Sequence, residues 1–178
     1  MDRVLVKRIL EGAIFAAHEP LSLAALGALF HEEDQITAPL ILTLLSEIES
    51  DLSARSFELK QVAGGYRFQI KSDLSQWIVK LWDEKPAKYS RAVLETLALI
   101  AYRQPVTRAE IEEIRGVTAS SAIIKILMER SWVKIVGYKD VPGKPGLLAT
   151  TPQFLDYFNL QSLEDLPTLT ALLEIEEK

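Results

Sequence analysis

Apolar residues recur at three- and four-residue spacing over 2–17, 36–52, 90–103 and 119–130, and at alternate positions over 57–62 and 66–70. The first spacing predicts amphipathic helices and the second half-buried strands. Over 2–17 the spacing predicts a helix with Val4, Leu5, Ile9, Ala13 and Ala16 inward. Ser22 is the expected N-cap of a short helix running to Phe30. A third helix from about Ile36 to Leu52 has Ile36, Leu40, Ile41, Leu44, Leu45, Ile48 and Leu52 on one broad face, with Leu42 off it. Two strands follow, 57–62 and 66–70, separated by a Gly64-Gly65 turn. Leu74, Trp77, Ile78 and Leu81 are expected to form a further helix packed back on this module.

The second half repeats the order. Val93, Leu97, Ile100 and Ala101 mark a helix that Pro105 ends, because the residue before a proline is pushed out of the helical region. Thr107 and Glu110 have the spacing of a capping box, and Val106 and Ile111 that of a hydrophobic staple. This is the pattern of a helix-turn-helix. An echo lies 85 positions upstream, where Pro20, Leu21, Ser22 and Leu26 match Pro105, Val106, Thr107 and Ile111. Gly116 is the expected C-cap of the second helix, and a third runs from about Ala119 to Arg130. Strands at 132–138 and 147–150 flank a longer tip, and Pro152 starts a short helix containing Phe154, Leu155 and Phe158.

Three helices followed by a hairpin is the order of a winged helix. The expected fold is therefore α+β and mostly helical, with two tandem winged-helix domains at 1–83 and 90–160. A charged linker at 84–89 joins them, and an acidic, weakly ordered tail occupies 161–178.

Composition narrows the function. The 178 residues are 48% hydrophobic and 25% charged, as in a globular protein. There is no cysteine, which excludes disulfides, thiolate metal sites and a cysteine nucleophile. His18 and His31 have no metal-ligand spacing, so neither a metal nor a cofactor is expected. No apolar run approaches the roughly 20 residues needed to span a bilayer, and the N-terminus is too charged for a signal peptide. Gly143-Lys144 fails as a phosphate loop, since Tyr138 stands where the first glycine belongs and Pro145 follows the lysine. No catalytic constellation is present, and an enzyme is not expected.

DNA reading is the obvious alternative for a winged helix. The net charge of −5 has the wrong sign for gripping phosphates, although residues 85–146 carry 11 basic against 6 acidic side chains. Base readout needs Arg, Lys, Asn or Gln on the third helix. The 119–130 helix offers Lys125 as its only long basic side chain before the last position, and the first module's third helix carries Glu47, Glu49 and Asp51. On the 119–130 helix, Ile123, Ile126 and Leu127 are expected inward, and Ile124 and Met128 outward. Such a helix is either covered by the 152–158 helix or docks to a partner. Leu42 raises the same question for self-association in the first module.

The string Glu95-Thr96-Leu97-Ala98-Leu99-Ile100-Ala101-Tyr102-Arg103-Gln104-Pro105-Val106-Thr107 resembles the signature of the bacterial segregation and condensation protein B family. Its continuation to Val117, the Lys139-Asp140-Val141-Pro142-Gly143-Lys144-Pro145 tip and Gln161-Ser162-Leu163-Glu164-Asp165-Leu166-Pro167 resemble it too. The resemblance implies a non-enzymatic homodimer, paired through its first domain. It implies binding to the kleisin ScpA and through it to the SMC ATPase, in chromosome condensation and segregation. It also implies a cytoplasmic, nucleoid-associated subunit that meets DNA weakly or indirectly and no membrane. Against that background, Ile124, Met128, Lys125, Tyr102 and Arg103 are the candidate kleisin-binding residues. Leu42 and Leu45 are the candidates for dimerisation, and Lys134, Lys139 and Lys144 for phosphate contact. The alternative reading is a DNA-binding winged-helix regulator. Ser131 stands where the family usually has glycine, and Ala149 replaces a glycine common in the second wing strand.

Overall fold

The computed structural model describes residues 1–81, 89–116 and 121–168. The linker at 84–88, the predicted helix start at Ala119 and Ser120, and the tail beyond 168 lie outside them. The described residues fall into two compact units, one made of 1–81 with 159–162, the other of 89–116, 121–158 and 163–168.

The first unit runs α1 (Arg3–Ala16), α2 (Leu23–Gly27), α3 (Ala38–Asp51), β1 (Phe57–Val62), β2 (Gly65–Ile70) and the short α4 (Ser75–Ile78). Ser22 accepts from Ala25 N and so starts α2 as expected. The core gathers Val6, Leu10 and Ile14 of α1, Leu26 of α2, Ile41, Leu44, Leu45 and Ile48 of α3, and Leu59 of β1. The predicted inward face of α1 is corrected here. A stripe four residues apart, at 6, 10 and 14, fills the space against α3, and that rotation leaves Val4 and Leu5 exposed. The expectation for Trp77 and Leu81 is corrected too. Both are exposed, because only one turn there is α-helical and the 3₁₀ turns on either side, Ser72–Leu74 and Val79–Leu81, break the 3.6-residue stripe.

The hairpin has a different turn from the one expected. Val62 pairs with Gly65, so Ala63-Gly64 is the turn and Gly65 opens β2. Gly65 has φ +131, and a Cβ there would lie 2.1 Å from the Leu21 carbonyl oxygen. The reason is a backbone bridge: Leu21 N donates to Tyr66 O and Tyr66 N to Leu21 O, each at 2.9 Å. That bridge fixes the wing to the turn before α2. Asn159–Ser162 also belongs to this unit. Ala63 N donates to Leu160 O at 2.9 Å, and Arg67 Nη2 to Asn159 Oδ1 at 2.7 Å.

The second unit runs α5 (Arg91–Arg103), β3 (Val106–Thr107), α6 (Arg108–Arg115), α7 (Ser121–Glu129), β4 (Val133–Tyr138), β5 (Gly146–Thr150) and α8 (Pro152–Tyr157). Its sheet has the order β3-β5-β4, all antiparallel. Val106 pairs with Leu148, as Leu21 pairs with Tyr66 in the first unit. The 85-residue echo therefore recurs as a structural position: one bridge from the turn to the wing, one cap, one buried staple partner. Thr107 accepts from Glu110 N, the Glu110 carboxylate accepts from Thr107 N at 2.7 Å, and Gly116 ends α6 with φ +65. Gln104 Oε1 accepts from Thr150 N at 2.8 Å and ties the end of α5 to β5. Trp132, buried, stacks among Tyr89, Tyr157 and Phe158.

α7 ends in a Schellman turn. Trp132 N donates to Leu127 O at 3.0 Å and Ser131 N to Met128 O at 2.8 Å, the 6→1 and 5→2 pair of that motif. Ser131 takes the left-handed position with φ +56. Leu127 and Trp132, the two residues whose contact usually accompanies the motif, are both buried.

Candidate functional site

The third helix of each winged helix is where a DNA reader presents cations. In the first unit α3 turns most of its acids onto its own fold. Lys7 Nζ lies 2.7 Å from Asp51 Oδ2 and 3.7 Å from Glu47 Oε2, and Arg3 pairs with Glu47. The Asp51 hydrogen bond raises the Lys7 ammonium above its ordinary pKa, and Arg3 lowers the Glu47 carboxyl below its own. Glu49, the one of the three predicted acids with no salt bridge to α1 among the described residues, lines a cleft of about 350 Å³ with Leu42, Ser46, Lys60 and Tyr66. Burial, with Glu49 second, raises the Tyr66 phenol. Leu42 is exposed beside this cleft. Leu45, three residues on, lines the same cleft but is itself buried, 3% exposed, as part of the core.

In the second unit α7 buries only Leu127 fully. Ile126 and Met128 are 37% and 40% exposed. Ile123 and Ile124 are half-buried. The expected inward place of Ile126 and outward place of Ile124 are thus both corrected: Leu127 takes the one fully buried position, its neighbours Ile126 and Met128 turn out, and Ile124 is half-covered. Lys125 lies 3.6 Å from Glu129 one turn on. Arg103 is exposed, whereas the Tyr102 hydroxyl donates to the chain's own Pro167 O at 2.5 Å. The five predicted kleisin contacts therefore do not form one set of free side chains.

The wing lysines also separate. Lys139 Nζ donates to Glu110 Oε1 at 2.7 Å, and this bond, with those from Thr107, holds the Glu110 carboxyl down at about 2. Lys134 and Lys144 are exposed. Among the described residues no group of three His, Asp or Glu side chains could hold a metal ion, and no helix is long and apolar enough to cross a membrane.

A family model for the segregation and condensation complex subunit ScpB matches residues 8–169. The chain belongs to the ScpB family. A segregation and condensation protein B homolog of Coxiella burnetii is 52% identical over 177 residues, covering 99% of this chain and 85% of that protein. Segregation and condensation protein B of Syntrophotalea carbinolica is 42% identical, covering 100% of this chain and 89% of that one. The crystal structure of a dimer of the ScpB N-terminal domain complexed with an ScpA peptide covers 49% of this chain and 100% of that chain, at 20% identity and a TM-score of 0.39.

Sequence reasoning on this ScpB-family chain missed the residues that the second wing turns outward. Ile135, Val136 and Tyr138 were read only as strand. The signal was there, since two adjacent β-branched residues in one strand cannot both face a core unless the strand is buried on both sides.

Proposed function

We propose that this chain is a dimeric, non-enzymatic adaptor that holds an apolar segment of the kleisin ScpA in the SMC complex of chromosome condensation and segregation. The observation that carries the reading is the outward pair Ile126 and Met128 on α7. A groove reader needs long polar side chains there, and the one present, Lys125, lies beside Glu129. Apolar side chains at such a site gain by leaving water against another polypeptide. Family membership supplies the complex in which that polypeptide is found. Leu42 beside the α3 cleft is the matching position for pairing of two copies through the first unit. DNA is then met only weakly or indirectly, within the assembled complex near the nucleoid.

The test is titration of the full chain with purified ScpA. The double change Ile126→Glu and Met128→Glu is expected to weaken binding at least tenfold while leaving circular dichroism unchanged. Full affinity in that variant would remove α7 from the site. Titration with duplex DNA at two salt concentrations separates the regulator reading, which requires tight binding that falls steeply with salt.

A further inference from the structure

We infer that the kleisin is held by strand addition: an extended aliphatic segment flanked by acidic side chains pairs with the open edge of β4. This rests on the adaptor reading above and specifies how it is carried out. β4 is the terminal strand of its sheet, paired on one side to β5. Its other side has no backbone partner among the described residues. Every second residue of an edge strand directs its N–H and C=O away from the sheet, which is a template for another strand.

The side chains fit the same occupant. Ile135, Val136 and Tyr138 are 44%, 50% and 68% exposed. The pairing slips between Ile135 and Gly137, so Val136 is an extra residue in the strand. A bulge of that kind turns two neighbouring side chains out where strict alternation would bury one. Gly146 provides the seat for the first of them: a Cβ at 146 would come within 3.3 Å of Ile135 Cδ1. The edge thus displays aliphatic and aromatic surface along its length, and an added strand would cover it with alternate side chains.

Charge selects among apolar strands. From Ser121 to Thr150 the chain carries five basic and two acidic residues. One of the acids, Glu129, is beside Lys125. Lys134 at the start of β4 and Lys144 beyond its end are exposed and have no ion-pair partner among the described residues. The complementary strand is therefore acidic where it passes these two lysines and aliphatic between them. A nucleic acid strand would satisfy the lysines but leave Ile135, Val136 and the edge amides uncovered.

The experiment is hydrogen–deuterium exchange of the full chain, free and with saturating ScpA, read on peptides covering 133–138. Strand addition slows exchange of the outward amides of β4 at least tenfold in the complex. Binding with β4 exchange unchanged would overturn strand addition and keep the adaptor reading, since side-chain docking alone leaves edge amides open. Absence of any ScpA binding would overturn both. Slowing that appears without ScpA and grows with protein concentration would overturn the kleisin as occupant in favour of a second copy. In parallel, Lys134→Glu with Lys144→Glu is expected to weaken ScpA binding about tenfold. Unchanged affinity in that variant would overturn the acidic character assigned to the segment.

Discussion

The substitution Gly65→Ala tests whether the first wing is fixed by its contact with the turn before α2. The new Cβ would lie 2.1 Å from Leu21 O, 2.3 Å from Leu21 C and 2.6 Å from Ser22 N. All three atoms are backbone, so no rotamer change relieves the clash. The wing must lift off, and the two Leu21–Tyr66 backbone bonds go with it. Each contributes about 1 kcal/mol net. The hairpin keeps its own turn as it lifts, so alanine at φ +131 adds about 1–3 kcal/mol. The expected loss is about 3–5 kcal/mol, a large part of the total stability of a small domain. Amide exchange of the full chain, followed by mass spectrometry, reads each unit separately. Protection of the β1 and β2 peptides should fall by about two to three orders of magnitude, while the α5 peptides keep theirs. Gly143→Ala is the control, because Gly143 has φ +85 but nothing within 4 Å of its would-be Cβ. That change should cost about 1 kcal/mol and only in the second unit. A loss in Gly65→Ala no greater than in Gly143→Ala would refute the close approach as the reason for the glycine.

Ser131→Gly should stabilise the second unit by about 0.5–1 kcal/mol, since relief of about 1–2 kcal/mol at the left-handed position exceeds the added freedom of the unfolded chain; urea unfolding checks it, and destabilisation would contradict the Schellman assignment. Gly12→Ala, in the exposed middle of α1 with open space around it, should also stabilise, by about 0.5–1 kcal/mol in the same assay. For Glu110 the folded pKa is lowered from 4.5 to about 2, so its contribution is present above the unfolded value and is lost as pH falls from about 4.5 through about 2. Carboxyl NMR of Glu110 should titrate near the lower value, and Lys139→Met should return it upward.

The helix-turn-helix signals were readable because they are local. Thr107, Glu110, Ser22 and Gly116 each act on backbone within a few residues, and each occupies its expected capping position. The left-handed Ser131 is legible only indirectly, as the position where the family usually has glycine. What failed was set by distant parts of the chain. Both Val4 and Val6 suit an inward face of α1; α3 decides between them. Gly65 looks like a turn glycine until Leu21, 44 residues earlier, is placed against it. The acids of α3 looked like one solvated face, but Arg3 and Lys7 claim two of them. Outward Ile126 was hidden for the same reason: with Leu127 beside it, only the position of α5 tells which one is core.

These long-range contacts also bear on why the second unit is not built to read DNA. A wing meets phosphate through cations free to pair with it. Here Lys139, at the end of β4, is bound to Glu110, the residue that caps α6. The ion pair closes the wing onto the helix-turn-helix, and phosphate would have to displace a carboxylate already held by Thr107 N, Thr107 Oγ1 and the lysine. The polar groups at the centre of the module are thus turned to its own fold. The large apolar side chains facing outward on α7 and β4 are Ile126, Met128, Ile135, Val136 and Tyr138. Water is the poorest neighbour for those five side chains, and a phosphate backbone is no better, so a polypeptide strand is the partner that both the side chains and the unpaired edge of β4 can use.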